Sequence, residues 1–103
     1  MLTHLVLFKY RDDAAPGERD GHLRALRGLV GVVPEAATLR VGADVLQTAR
    51  SYDTGLALTV ADRAALARYA DHPAHREAAA LGVRLCASIV AVDFEGDEGE
   101  GLS

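Results

Sequence analysis

A strand that is apolar on both faces must be covered on both, and this chain has more such strands than its helices can cover. From Leu2 to Tyr10, the residues Leu2, His4, Val6, Phe8 and Tyr10 share one face, while Thr3, Leu5, Leu7 and Lys9 share the other. Arg84 to Phe94 is a second long stretch of the same kind. Tyr52 to Val60 is another strand, rich in apolar and β-branched residues. A shorter one, Thr38 to Val45, alternates Leu39, Val41 and Ala43 with Thr38, Arg40 and Gly42.

Helical spacing fills the gaps between these strands. Pro16 suits a first helical position and Glu18 a first turn, and Leu23, Leu26, Val30 and Val33 then recur as one apolar stripe. Gly31 weakens the end of that helix and Pro34 stops it. After the third strand, Asp62 can cap a helix whose inner face includes Ala65, Leu66 and Tyr69. His72 precedes Pro73 and so avoids the helical region, which breaks this helix and starts a third, short one running to about Leu81.

The order β-α-β-β-α-β places the chain in the α+β class. It predicts a ferredoxin-like plan, one four-stranded antiparallel sheet with the helices on one face. The helix-free face would then be an apolar patch larger than a monomer leaves in water. A second copy packed sheet to sheet resolves this, giving a symmetric homodimer, a dimeric α/β barrel. A cavity between the sheets would be lined by the strand residues the helices leave uncovered.

Length and charge set the remaining bounds. At 103 residues the chain is one domain, expected over residues 1–95, and residues 96–103 form an acidic, glycine-rich tail expected to be disordered. Eleven Lys+Arg against fifteen Asp+Glu, with no basic cluster, leave no footprint for nucleic acid or an anionic membrane. No apolar run approaches the ~20 residues of a membrane span. The opening MLTHLVLFKY lacks a basic leader and a cleavage site, and the single Cys86 allows no internal disulfide. A cytoplasmic protein is expected. No phosphate loop, serine-centred elbow or dinucleotide fingerprint appears, so no cofactor is expected.

Several stretches together carry a family resemblance: THLVLFK at the start, GLVGVVP, RVGAD, SYDTGLAL, RYADHPAH and the closing AVDF. From Leu2 to Phe94, in this order, they resemble the stress-responsive dimeric α/β-barrel (Dabb) family. The resemblance implies a homodimer, as the uncovered face requires independently. Most members have no known reaction, although a plant member closes a linear polyketide by an aldol condensation using a tyrosine and a histidine. Those two residues correspond to Tyr69 and His75, and a first-strand histidine corresponds to His4. Where that cyclase has a further tyrosine and a third-strand histidine, this chain has Leu26 and Thr54, and His22 and Leu23 replace helix phenylalanines. The acid/base pair survives while the pocket around it differs, so the cyclase's own substrate is not expected here.

The candidate residues each have two readings. His75, in the first turn of a helix, is held neutral by the helix dipole and can serve as a general base, or it caps local backbone. Tyr69 can donate its hydroxyl to a developing enolate oxygen, or simply pack its ring. His4 shares a face with Val6 and Phe8; it is either a polar group in an apolar ligand site or a histidine bonded to a neighbouring strand. His22 either borders the cavity or faces solvent, and Leu26 and Tyr52 complete the expected ligand-binding set. His72 and His75 have the spacing of a metal pair, but Pro73 intervenes and no third ligand stands at a matching offset, so His72 reads as a helix-start residue and no metal is expected. Cys86 alternates with Ser88 and Val90 and reads as an inert buried thiol.

Two functions are consistent with this set. One is a non-catalytic homodimer binding a small, apolar, carbonyl-bearing molecule. The other is a cofactor-independent cyclase or isomerase with His75 as base and Tyr69 as proton donor.

Overall fold

Alternation decides which way the first strand faces, and the computed structural model, which describes residues 1–96, follows it closely. Strand β1 (Leu2–Tyr10) buries Leu2, Val6, Phe8 and Tyr10, the even-numbered row. It is followed by α1 (Pro16–Arg27), β2 (Arg40–Ala43), β3 (Thr54–Val60), α2 (Arg63–Asp71), α3 (Pro73–Leu85) and β4 (Cys86–Glu95). The sheet order is β2-β3-β1-β4, with every neighbouring pair antiparallel, which is the ferredoxin-like arrangement. No helix among the described residues is long and apolar enough to cross a membrane. Of the expected tail, residues 97–103 lie outside the described residues.

One core joins the even row of β1 to Leu56, Leu58 and Val60 of β3 and to Leu26, Ala65, Tyr69 and Ala78 of the helices. The opposite sheet face carries Leu5 and Leu7 of β1 beside Val90, Val92 and Phe94 of β4. Leu7, Val90, Val92 and Phe94 are between 42% and 53% exposed. That is the helix-free apolar face the strand pattern requires.

Several boundaries differ from the sequence reading, for local reasons. The helix from Pro16 ends at Arg27 instead of Val33 and tightens into a 3-10 turn at Gly28–Gly31. Tighter winding rotates the stripe, so Leu29 is buried while Val30 is exposed. Strand β2 begins at Arg40 because the Thr38 hydroxyl donates to the Thr59 carbonyl (2.7 Å) and accepts from the Thr59 N–H (3.0 Å), taking the place of backbone pairing. Strand β3 starts at Thr54, not Tyr52: the Asp53 N–H still reaches the Phe8 carbonyl, but the next bond from β1, the Tyr10 N–H, goes to the Asp53 carboxylate in place of a backbone carbonyl. Helix α3 runs on to Leu85, and β4 starts at Cys86, not Arg84. Gly82 does not stop it; its missing side chain makes room for His22, whose Nε2 would lie 3.0 Å from a Cβ there.

Candidate functional site

A proline brings two side chains six residues apart into contact. His72 is extended (φ −63°, ψ 134°), as the residue before Pro73 must be, so α2 ends and α3 starts in a new direction. His72 itself caps α3, its Nδ1 accepting from the Ala74 N–H at 3.1 Å, the helix-start role expected of it. The reversal lays Tyr69, in the last turn of α2, against His75, in the first turn of α3, with ring centroids 4.5 Å apart. From the sheet, His4 meets the same tyrosine edge-on, centroids 6.1 Å apart.

Each polar tip has a defined state. His75 donates its Nδ1–H to the carbonyl of Ala70 at 3.0 Å, so in the neutral ring Nε2 is the acceptor. Burial lowers its pKa below the ordinary histidine value; the bond to Ala70 opposes this, and the nearby His4 reinforces it. Tyr69 is 1% exposed, and burial pushes its phenol up to about 12. Its hydroxyl is buried without a hydrogen-bond partner among the described residues. His4 bonds through Nδ1 to the carboxylate of Asp93, its direct partner across the β1–β4 ladder.

These three residues line a cavity of about 380 Å³ between the sheet and the helices. Its walls are apolar: Val6 and Phe8 of β1, Leu26 of α1, Leu56 of β3, Leu66 of α2, Ala78 and Val83 of α3, and Ile89 of β4. The arrangement offers one phenolic donor and two imidazoles inside a greasy enclosure, where hydrogen bonds to a ligand are stronger than in water.

The structure brings the candidates His4, Val6, Phe8, Leu26, Tyr69 and His75 to one cavity, and in a different place from the one expected. The cavity lies beneath the helices, not between two sheets, because the even row of β1 that carries His4 faces the helices. His22 lies away from the cavity and does not reach solvent. It is fully buried, Nδ1 bonded to the Tyr10 hydroxyl (2.8 Å), and that hydroxyl also contacts Thr54 Oγ1 (3.1 Å). Burial lowers its pKa, so it is a neutral core histidine. Tyr52 is also elsewhere: its hydroxyl bonds Ser88 Oγ at 2.9 Å, and it lines a more open groove with Leu7, Val45 and Leu46. Burial raises the Cys86 thiol pKa, which keeps it protonated and unreactive.

Sequence reasoning passed over Asp93. The signal was present: alternation from Ile89 places an acid on the helix-facing row of an otherwise apolar strand. Antiparallel pairing with β1 then sets that acid opposite His4.

A model of the family described as the stress responsive A/B barrel domain matches residues 2–96. An uncharacterized protein of Streptomyces coelicolor is 33% identical over 97 residues, covering 92% of this chain and 99% of its own. A crystal structure of a dimeric ferredoxin-like protein of unknown function from Thermobifida fusca superposes with a TM-score of 0.83 at 30% identity, over 92% of this chain and 90% of that one. A hydroxynitrile lyase from Passiflora edulis also superposes at TM-score 0.83; at 19% identity, over 94% of each chain, it shares the fold.

Proposed function

The chain belongs to the stress-responsive A/B barrel domain family, and from that premise we propose that it binds a small, mostly apolar, carbonyl-bearing molecule in the cavity beneath its helices. One observation carries this reading. Tyr69 lines an apolar cavity, and its hydroxyl is buried with no partner among the described residues, an arrangement that costs about 1–3 kcal/mol unless something accepts from it. A ligand carbonyl is the acceptor that a phenol donor among aliphatic walls would select.

The working form is a cytoplasmic homodimer. The bare row of Leu5, Leu7, Val90, Val92 and Phe94 supports a sheet-to-sheet partner, and the similar Thermobifida fusca protein is described as dimeric. The expected division into a domain ending near residue 95 and a short tail fits the family match, which ends at residue 96.

A second reading is supported by His75. Its proton sits on Nδ1 toward Ala70, and burial keeps the ring neutral, so Nε2 is free to take a proton next to the bound carbonyl. Tyr69 would then donate to the enolate oxygen, giving a cofactor-independent isomerisation or polyketide cyclase-like ring closure.

The test is a binding and turnover screen of aromatic and polyketide-like carbonyl compounds against the wild-type protein, Tyr69→Phe and His75→Ala. Binding that weakens in both variants supports the site. Equal binding and turnover by all three proteins would remove these residues, and with them the reading.

A further inference from the structure

Two imidazoles face this cavity, and in both the same nitrogen is already engaged. His75 Nδ1 meets the carbonyl of Ala70, and His4 Nδ1 meets the carboxylate of Asp93. Both partners can only accept, so both Nδ1 atoms carry the hydrogen, and each neutral ring is left with a lone pair on Nε2. The groups that face His4 are Asp93 from β4, Tyr69 from α2 and His75 from α3, while β3 sets the apolar Leu58 opposite it. No donor stands among them except the Tyr69 hydroxyl. The cavity thus presents two acceptors and one donor on apolar walls. A plain ketone satisfies the donor and leaves both acceptors idle.

We infer that Asp93 is a positioning residue that holds His4 as a hydrogen-bond acceptor, so that the cavity selects a molecule bearing a hydroxyl alongside its carbonyl, a hydroxy ketone or phenolic ketone. This rests on the carbonyl-binding reading above and sharpens it. A site built around a ligand hydroxyl rejects the analogue that lacks it far more strongly than an apolar pocket rejects a missing methylene, because its polar groups are left unpaired. Asp93 acts through His4 alone. Its side chain is 44% exposed, so its replacement perturbs the ring without opening the core.

Two measurements on the full chain test this. Nitrogen NMR of the histidine rings in the ligand-free wild-type protein at neutral pH is expected to show His4 with hydrogen on Nδ1 and none on Nε2. In Asp93→Asn the amide can donate to Nδ1, and His4 is expected to move toward the opposite tautomer, the fate of an imidazole whose orienting carboxylate becomes an amide. Calorimetric titration with meta-hydroxyacetophenone and meta-methoxyacetophenone reads the selectivity. The wild-type protein is expected to prefer the hydroxyl compound by about tenfold, and in Asp93→Asn the ratio is expected to fall close to one. A hydrogen found on His4 Nε2 in the wild-type protein, or a ratio that survives Asp93→Asn, overturns the inference. Equal binding of the two ketones overturns the inference and leaves the carbonyl site standing. No saturable binding of either compound ends both.

Discussion

Replacing Tyr69 by phenylalanine is expected to make the protein more stable and worse at its task. The phenol ring fills the core at 1% exposure, and phenylalanine keeps that ring in place, so no cavity is created. What disappears is a hydroxyl stripped of water and given no partner among the described residues. Leaving such a group unsatisfied costs about 1–3 kcal/mol, so its removal is expected to return about 1–2 kcal/mol of stability. For a domain of this size each kcal/mol moves Tm by roughly 4–8 °C. The assay is thermal and urea unfolding of both proteins at one chain concentration, since dimerisation makes apparent stability depend on concentration. The pH axis gives an internal check. With the folded phenol pushed up to about 12 and the unfolded one near 10, the folded state binds more protons in between, so wild-type stability falls as pH rises through that window. Tyr10, also raised by burial, leaves part of this loss in place, but the phenylalanine variant shows less of it. A Tm equal to or below that of the wild-type protein would mean the hydroxyl is satisfied in the folded protein, and the argument for a missing ligand acceptor would fail.

Gly82→Ala tests the packing around the other buried histidine. In a helix interior the change ordinarily gains about 0.5–1 kcal/mol. Here the new Cβ would sit 3.0 Å from His22 Nε2, and Tyr10 holds that ring, so urea unfolding is expected to show a loss, and a gain would refute the fit. Acid is a second probe. His22 and His75 both have pKa values lowered by burial, so the unfolded chain binds more protons below about pH 6.5. Stability present at neutral pH is therefore lost as pH falls through that value, with a shallower slope in His75→Gln; a flat profile between pH 7 and 5 would contradict it. On the bare sheet face, Val92→Arg is expected to halve the mass seen by light scattering at micromolar concentration, and a wild-type protein already monomeric there would contradict the dimer.

The elements most legible in the sequence were those set by alternation and by proline. The even-odd split of Leu2 to Tyr10 survives unchanged, and the helix break at His72-Pro73 lies where the restriction on pre-proline residues puts it. Tyr69 and His75 were paired through the family resemblance, and the break is what brings their rings together. The end of α1 was less readable, because a switch from α to 3-10 winding at Gly28 leaves no periodic trace over four residues. Which face of β1 meets the helices is a question of three-dimensional packing, and that choice moved the cavity from between two sheets to beneath the helices. His22 was misjudged because a helix pattern cannot show that Tyr10 and Thr54 wait opposite it, with Gly82 clearing the space. Asp93 needed strand pairing and alternation together; either alone leaves an acid near the end of the last strand.

The central claim is that a bound carbonyl accepts from Tyr69. Infrared spectroscopy of carbon-13-labelled meta-hydroxyacetophenone reads that bond directly, because a hydrogen bond to the oxygen lowers the carbonyl stretching frequency. Bound to the wild-type protein, the ketone is expected to show a lower frequency than when bound to Tyr69→Phe. The same frequency in both proteins would place the carbonyl away from that hydroxyl and contradict the site.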